Sequence, residues 1–120
     1  MDIKYDVAIT NIGKLARTFL ENNSSTILLD EGIRPNLADM VIEHTVGELT
    51  EDIKKGDHLL MGGIKYTVER VGEDVNQNLR DEGHCTVVFN AEGSMPGQII
   101  VKGPAQPTVT VGAHITFTKK

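Results

Sequence analysis

The sequence has a single cysteine, no tryptophan and no apolar run longer than three residues. Because the lone thiol of Cys85 has no partner for an internal disulfide, core packing must stabilise the fold, as is usual in a reducing compartment. Apolar runs such as 27–29 and 59–61 are far shorter than the ~20 residues that a membrane helix needs. No signal-like segment opens the chain. We therefore expect a soluble, cytoplasmic protein.

Basic residues are also scarce, since 12 lysines and arginines stand against 17 aspartates and glutamates, for a net charge of -5. Nucleic acid binding requires a basic face, so this balance argues against nucleic acid as the main partner and favours basic protein surfaces. The 120 residues are 39% apolar and 24% charged, with no low-complexity tract. That composition is typical of a globular protein, and we predict one domain over residues 1–120.

Apolar residues alternate with polar ones along several short segments, which is the pattern of strands with one buried face. The clearest case is the first segment, where Ile3, Tyr5, Val7 and Ile9 alternate with polar side chains. Further strands are predicted at 25–29, around residue 44, and at 58–61, 64–71, 84–89, 98–102 and 114–119. Brief helical patterns interrupt them at 15–20, 34–40 and 74–79. The sequence therefore predicts an all-β fold, a small barrel or sandwich of short, mostly antiparallel strands with one to three short helices.

Glycines mark several of the turns. Gly62-Gly63 joins two apolar segments and is a strong signal for a two-residue hairpin. Gly83 follows the last helical pattern and suits a left-handed residue at the helix end. The pattern Gly-x-His occurs twice, at 56–58 and 112–114, and each copy precedes a strand. The repeat predicts similar barrel corners at two places, and a structural or solvent-facing role for His58 and His114.

The strongest candidate for a chemical centre is His44, which lies in an apolar segment and is followed by Gly47 and Glu48. A neutral imidazole is a nucleophile and a proton carrier near pH 7, the unperturbed pKa of the side chain being about 6.5. Gly47 lacks a Cβ, so backbone N–H groups there could approach an anion bound at the ring. Glu48 could orient a ring nitrogen. The alternation of Ile42, His44 and Val46 also fits a core histidine with a satisfied hydrogen bond, and spacing alone favours that interpretation without excluding the other.

Other residues offer alternatives. His84 opens a strand and could lie beside His44 if the two strands pair. Cys85 is a poor candidate for a nucleophile, because buried cysteines are usually inert. A cupin-like metal centre has no compact ligand spacing to support it; its ligands would be His44, Glu48, His84 and His58. The remaining possibilities are a phosphoryl carrier with a histidine nucleophile, a non-catalytic β-barrel binding module and a metal-dependent enzyme.

A set of spaced motifs runs over nearly the whole chain. It comprises Ile9-Thr10-x-Ile12-Gly13, Ile42-Glu43-His44, Gly47-Glu48-Leu49, Val71-Gly72, Asn78-Leu79-Arg80, Gly83-His84-x-Thr86-Val87, Pro96-Gly97, Val101 and Gly103-Pro104. This pattern resembles the glucitol/sorbitol-specific enzyme IIA of the bacterial phosphoenolpyruvate-dependent sugar phosphotransferase system. The resemblance extends over a matching length rather than resting on one short motif.

The resemblance implies a cytoplasmic phosphocarrier: the protein HPr phosphorylates one histidine, and the group passes to the IIB part of the membrane-bound sorbitol transporter. In the family this histidine lies three residues before Gly-Glu-Leu, which is His44 here. Members can have a further histidine directly before Gly-Glu-Leu, where this chain has Val46, so His84 is the better candidate for a supporting imidazole. The protein would meet a membrane only through the transporter. We expect neither a cofactor nor a metal.

Transfer of a phosphoryl group between two proteins requires an accessible histidine. We therefore expect His44 in a shallow exposed patch, ringed by apolar residues such as Ile42, Val46 and Leu49, rather than in a deep pocket. The reaction also needs a neutral nucleophile, an in-line approach and donors for the phosphoryl oxygens. A small barrel can supply all of these.

Overall fold

A computed structural model describes residues 2–120, and its eight strands close into a barrel. The strands are β1 (Ile3–Ile12), β2 (Ser25–Asp30), β3 (Ile42–His44), β4 (His58–Met61), β5 (Ile64–Val71), β6 (Cys85–Phe89), β7 (Gln98–Lys102) and β8 (His114–Thr118). Around the barrel they follow the order β1-β3-β2-β6-β7-β5-β4-β8. Two neighbouring pairs, β2 with β3 and β6 with β7, are parallel, and the other pairs are antiparallel. The predicted small, mostly antiparallel barrel is confirmed.

Two helices and one 3-10 turn connect the strands. Helix α1 spans Ala16–Asn23, helix α2 spans Val75–Glu82, and the turn covers Pro35–Leu37. The short helix predicted at 34–40 is wrong in extent, because only Pro35–Leu37 are helical. Of the side chains expected to pack inward, Leu37 and Met40 are 38% and 37% exposed, whereas Val41, the alternative to Met40, is 2% exposed. None of the helices between residues 2 and 120 is long and apolar enough to cross a membrane.

The first strand follows the predicted alternation with one local change. Tyr5, Val7 and Ile9 are buried in the core, but the register with β8 shifts between Ile3 and Tyr5, and Ile3 is 52% exposed. Lys4, a polar member of the alternation, is only 3% exposed because its Nζ atom lies 2.7 Å from the carboxylate of Asp57. The strand therefore contributes a buried ion pair as well as an apolar face.

The predicted glycine turns are confirmed. β4 and β5 pair as a hairpin across Gly62 and Gly63, whose φ angles of 59° and 77° suit the left-handed region that glycine tolerates. The two Gly-x-His corners share their geometry, since Gly56 and Gly112 have φ angles of 94° and 92°. They precede β4 and β8, which pair with each other. The repeat thus builds two adjacent corners of one barrel.

The ends of β2 and β3 and the start of β6 lie at the same end of the barrel. The parallel register pairs Asp30 with His44, and the antiparallel register pairs Leu28 with Cys85. Helix α2 ends at this end of the barrel, because the carbonyl oxygen of Gly83, the residue after the helix, lies 2.9 Å from the His44 ring. Its first turn is held by Asn76, which accepts a hydrogen bond from the backbone N–H of Ile53 at 2.8 Å and donates one to the Ile53 carbonyl at 3.2 Å. The helix ends in the left-handed Gly83, just before β6. This end carries the candidate site.

Candidate functional site

His44 is the last residue of β3 and points into the barrel. Its neighbour on the same strand face, Ile42, belongs to the core, as does Leu28, the register partner of Ile42 on β2. The His44 side chain is 0% exposed. The structure therefore contradicts the expected shallow, exposed patch, and the alternative of an inward-facing histidine describes its position.

Both ring nitrogens of His44 contact oxygen atoms. Nδ1 lies 2.8 Å from the carbonyl oxygen of Thr45, and Nε2 lies 2.9 Å from the carbonyl oxygen of Gly83. The carboxylate oxygen Oδ1 of Asp30 is 3.7 Å from Nδ1. Carbonyl oxygens only accept hydrogen bonds, whereas a neutral imidazole has one N–H to donate. The imidazolium form, with an N–H on each nitrogen, satisfies both carbonyl contacts.

Asp30 supplies the negative charge beside this ring. Its side chain is 12% exposed, and within the described residues its Oδ1 atom has no hydrogen-bond partner. Burial, the largest effect, raises the pKa of the Asp30 carboxyl, the nearby His44 lowers it, and the carboxylates of Glu82 and Glu31 raise it further, so that the pKa lies above its ordinary value. The site therefore contains a carboxylate whose charge is costly to bury, and the imidazole next to it reduces part of that cost.

Gly83 provides the space in which this pair fits. A Cβ atom at position 83 would overlap Oδ1 of Asp30 and would lie 2.6 Å from Cε1 of His44. Gly83 also has a φ angle of 62° as the residue that ends α2. One glycine thus serves both the helix end, as predicted, and the packing of the His44–Asp30 pair.

Tyr5 packs against the His44 ring, and the buried Cys85 lies close enough to Tyr5 to affect its pKa. The rings of Tyr5 and His44 meet edge to face, with centroids 6.2 Å apart and an interplanar angle of 89°. Burial raises the pKa of Tyr5 above its ordinary value, with smaller contributions from Asp30 and Cys85. Burial also raises the pKa of the Cys85 thiol to about 12. Both side chains are therefore neutral near pH 7, which agrees with the sequence-based argument against Cys85 as a nucleophile.

The segment after His44 differs from the expected docking patch. Ile42 and Leu49 are buried, whereas Val46 is 71% exposed. Gly47 packs on β1, because a Cβ there would lie 2.6 Å from Cγ1 of Val7. Only Val46 of the predicted apolar ring is therefore available to a partner.

The backbone of the same segment carries donors without strand partners. In the part of the chain that the structure describes, the N–H groups of Val46, Gly47 and Glu48 donate no hydrogen bond to another backbone group. The Glu48 side chain is exposed. Consecutive backbone N–H groups are suitable donors for an anion.

The chain touches the His44 ring at Gly83, directly before His84, but through the Gly83 carbonyl and not through the His84 ring. The His84 ring faces outward, where it lines a groove with the outward side chains of Ile27 and Leu29. The next residue, Cys85, is in the core, as strand alternation requires. The groove is completed by Leu37 and Val41 and by the ion pair between Arg34 and Glu82.

The other histidines are remote from this chemistry. His58 is half-buried at the start of β4, and His114 is exposed with Nδ1 2.9 Å from Oδ1 of Asp6. Over residues 2–120 no three histidine, cysteine or acidic side chains come together as a group that could hold a metal ion. The set proposed for a metal centre, His44, Glu48, His84 and His58, is therefore not brought together.

Asp30 and Tyr5 are the members of the site that the sequence analysis did not identify. Asp30 follows the apolar run 27–29 and carries no motif of its own. Its place beside His44 depends on the parallel register of β2 and β3, which the local pattern does not encode. For Tyr5, the alternation of β1 predicted an inward side chain, and the contact with His44 is the new feature.

Comparisons with known proteins match nearly the whole chain to one family. A sequence model of the PTS system glucitol/sorbitol-specific IIA component matches residues 4–116. The chain is 31% identical over 119 residues to the PTS system glucitol/sorbitol-specific EIIA component of Shigella flexneri, which covers 98% of this chain and 96% of that protein. The component of the same name from Escherichia coli (strain K12) is also 31% identical over 119 residues, with the same coverage.

A solved structure shares the fold. The crystal structure of a PTS system IIA component from Enterococcus faecalis V583 superposes with a TM-score of 0.84. The match covers 95% of this chain and 99% of that one, at 23% sequence identity.

Proposed function

This chain belongs to the family of glucitol/sorbitol-specific IIA components of the phosphotransferase system, and we propose that His44 is the residue on which it carries the phosphoryl group. As a IIA component it is a phosphotransferase component, which interacts with a phosphocarrier and with IIB partners of that system. The binding-module and metalloenzyme alternatives lose their support with this assignment.

The contacts of His44 support its role. It is the histidine that lies within 3.7 Å of a mostly buried carboxylate, Asp30, and it directly precedes a segment with available backbone donors. A carboxylate beside an imidazole fixes the orientation of the ring and the nitrogen that carries its proton. The exposed His114 lies on β8, the other strand that pairs with β1, and its ring contacts Asp6 of β1 instead.

The transfer step requires one bare ring nitrogen. A lone pair on His44 forms a bond to phosphorus while the bond between phosphorus and the donor nitrogen breaks, and the donor ring leaves with that electron pair. The phosphoryl oxygens then need hydrogen-bond donors. We assign this role to the backbone N–H groups of Val46, Gly47 and Glu48. The side chain of Glu48 stays a candidate for orienting the ring, once the ring has moved towards the surface.

His84 stays the candidate for a supporting imidazole, under a geometric condition. Its ring lies outside the barrel wall, so it could meet only a His44 ring that has left the barrel interior. The backbone offers a link between the two, because the carbonyl group of Gly83, which precedes His84, contacts Nε2 of His44. A supporting role would therefore require movement at this end of the barrel.

We assign HPr as the donor and the IIB part of a glucitol/sorbitol transporter as the acceptor. The names of the relatives support the sugar class. Exposed Val46 and the outer groove lined by Leu37, Val41 and His84 are the apolar surface nearest the site, and we assign docking of these partners to it. Exchange with HPr would take place in the cytoplasm, with contact to the membrane only through the transporter.

Single replacement of each of the four histidines by glutamine tests this proposal. The variants would be incubated with phosphoenolpyruvate, enzyme I and HPr, and acid-labile phosphate on the chain would be measured. We expect His44→Gln to accept none, His58→Gln and His114→Gln to accept one group per chain at the normal rate, and His84→Gln to accept it more slowly. Circular dichroism checks that each variant is folded. Acid-labile phosphate on folded His44→Gln would refute the assignment of the residue.

A further inference from the structure

The groups that contact the His44 ring nitrogens are all hydrogen-bond acceptors. These groups, the carbonyl oxygens of Thr45 and Gly83 and the carboxylate of Asp30, are referred to here as the acceptor cage. A neutral ring inside the cage would direct one lone pair at a carbonyl oxygen less than 3 Å away. The imidazolium instead donates at both nitrogens and faces the opposite charge of Asp30. The cage therefore favours the protonated ring, which has no lone pair for attack on phosphorus.

The acceptor cage is also unsuitable for the product of the reaction. The His44 ring is 0% exposed, and even a Cβ at Gly83 would lie only 2.6 Å from Cε1, so a phosphoryl group has no space there. Its oxygens carry negative charge and would face the Asp30 carboxylate and two carbonyl oxygens. A phosphorylated His44 thus has to occupy a different position from the one in this structure.

We propose that Asp30 is a positioning residue for phosphoryl transfer, which holds His44 in a closed, doubly protonated position from which the ring must be released before it reacts. The inference rests on the proposed role of His44 as the acceptor. On release, one ring proton passes to Asp30 or to water. The exposed lone pair then forms the nitrogen–phosphorus bond as the bond to the donor breaks. The phosphorylated ring lies outside the cage, beside the N–H groups of residues 46–48.

A pH-dependent test requires that other titratable groups around the pair stay the same. Burial raises the pKa of the Tyr5 hydroxyl and of the Cys85 thiol, so both remain neutral over the useful range. The carboxylates that act on Asp30 are distributed over several elements. The charged and titratable groups around the pair are Tyr5 of β1, Glu31 after β2, Glu82 of α2 with its partner Arg34, and Cys85 of β6.

The matched control is Glu43→Gln. Glu43 is a buried carboxylate on β3, next to His44 in sequence, but its oxygens accept hydrogen bonds from Asn11 at 3.1 Å and from the backbone N–H of Gly32 at 2.8 Å. A glutamine there removes one buried negative charge without changing a contact of the His44 ring. Asp30→Asn removes the charge that faces the ring and keeps the size of the side chain. Asp30→Ser provides a second neutral variant if the asparagine variant does not fold.

The first measurement is nuclear magnetic resonance of the ring nitrogens in the complete, 15N-labelled protein, with the His44 signals assigned from their loss in His44→Gln. We expect the wild type and Glu43→Gln to show both His44 nitrogens protonated near pH 7. We expect Asp30→Asn to show a clearly larger fraction of rings with one bare nitrogen under the same conditions, as a shift of about one pH unit requires. A bare nitrogen in the wild type, or an unchanged spectrum in Asp30→Asn, would overturn the inference.

The second measurement is rapid-quench phosphoryl acceptance from phosphorylated HPr, between about pH 5 and about pH 9. Loss of a facing charge should move the rising part of the rate profile of Asp30→Asn down by about one pH unit, so that transfer is about tenfold faster near pH 6. Glu43→Gln should follow the wild type. Phosphate acceptance by His44→Gln would overturn both this inference and the proposed function. Wild-type spectra and rates in Asp30→Asn would overturn the role of Asp30 alone.

Discussion

Replacement of Gly83 by alanine tests the geometry of the site most directly, because two separate costs arise at one position. Gly83 has a φ angle of 62°, and a left-handed conformation costs an alanine about 1–2 kcal/mol. The new Cβ would also overlap Oδ1 of Asp30 and lie 2.6 Å from Cε1 of His44. Overpacking of a filled interior typically costs about 1–3 kcal/mol. We expect Gly83→Ala to lower the free energy of unfolding by about 2–5 kcal/mol in total.

Gly63→Ala is the matched control for the conformational cost. Gly63 has a φ angle of 77°, and no heavy atom lies within 4 Å of the position that its Cβ would take. This variant should therefore lose only the conformational share, about 1–2 kcal/mol. The difference between the two variants isolates the crowding of the His44–Asp30 pair.

Urea unfolding followed by circular dichroism measures both free energies, and 15N spectra of the His44 ring measure the displacement. We expect altered His44 ring signals in Gly83→Ala and unchanged signals in Gly63→Ala. If the two variants lose equal stability within about 0.5 kcal/mol, and the His44 signals stay the same in both, the packing argument for Gly83 is incorrect.

Two further predictions concern buried titratable groups. Burial raises the pKa of Asp57, but hydrogen bonds from Lys4 and from the backbone N–H groups of Lys54 and Lys120 lower it more, so that its pKa lies below the ordinary value. The stability from this carboxylate is thus present above its unfolded pKa of about 4 and is lost as pH falls through the folded value. Asp57→Asn leaves Lys4 buried without its counter-charge and should lower the free energy of unfolding by about 3–5 kcal/mol near pH 7. Urea unfolding should show this difference from the wild type becoming smaller below about pH 4. A difference that stays constant with pH would refute the predicted pH dependence. Cys85, with its pKa raised to about 12, should not react with a thiol reagent at pH 8 until urea unfolds the protein, and rapid native labelling would contradict its burial.

The parts of the fold that were predicted correctly depend on local patterns. The alternation of Tyr5, Val7 and Ile9 identified β1, and Gly62-Gly63 identified the hairpin, because period-two burial and left-handed turns leave a signal in a few consecutive residues. The helix predicted at 34–40 also rested on a local pattern alone, and there the pattern was misleading. Pro35 and the apolar spacing suited a helix, but only Pro35–Leu37 form a turn, and Leu37 lines a groove on the outside of β2 with Ile27 and Leu29.

The site depends on contacts between distant segments. The approach of Asp30 to His44 requires a parallel pairing across an 11-residue connection, and the sequence contains no rule for that register. The direction of the His84 side chain, by contrast, could be predicted from the sequence. Once Cys85 is assigned to the core, strand alternation directs His84 outward, away from His44.

Burial of Asp30 links the stability of the barrel to its proposed reaction. A carboxyl whose pKa is raised on folding stabilises the fold below its unfolded pKa and loses that contribution as pH rises through the folded value. The ionised form of Asp30 is therefore a cost to the fold, and in the proposed closed position the facing His44 imidazolium offsets part of that cost. Phosphorylation would replace this cation with a negatively charged group, so in the closed arrangement His44 would no longer attract the Asp30 carboxylate and would repel it instead. The same carboxylate would then stabilise the resting position of His44 and disfavour the return of the phosphorylated ring, which leaves the phosphoryl group accessible to the next partner.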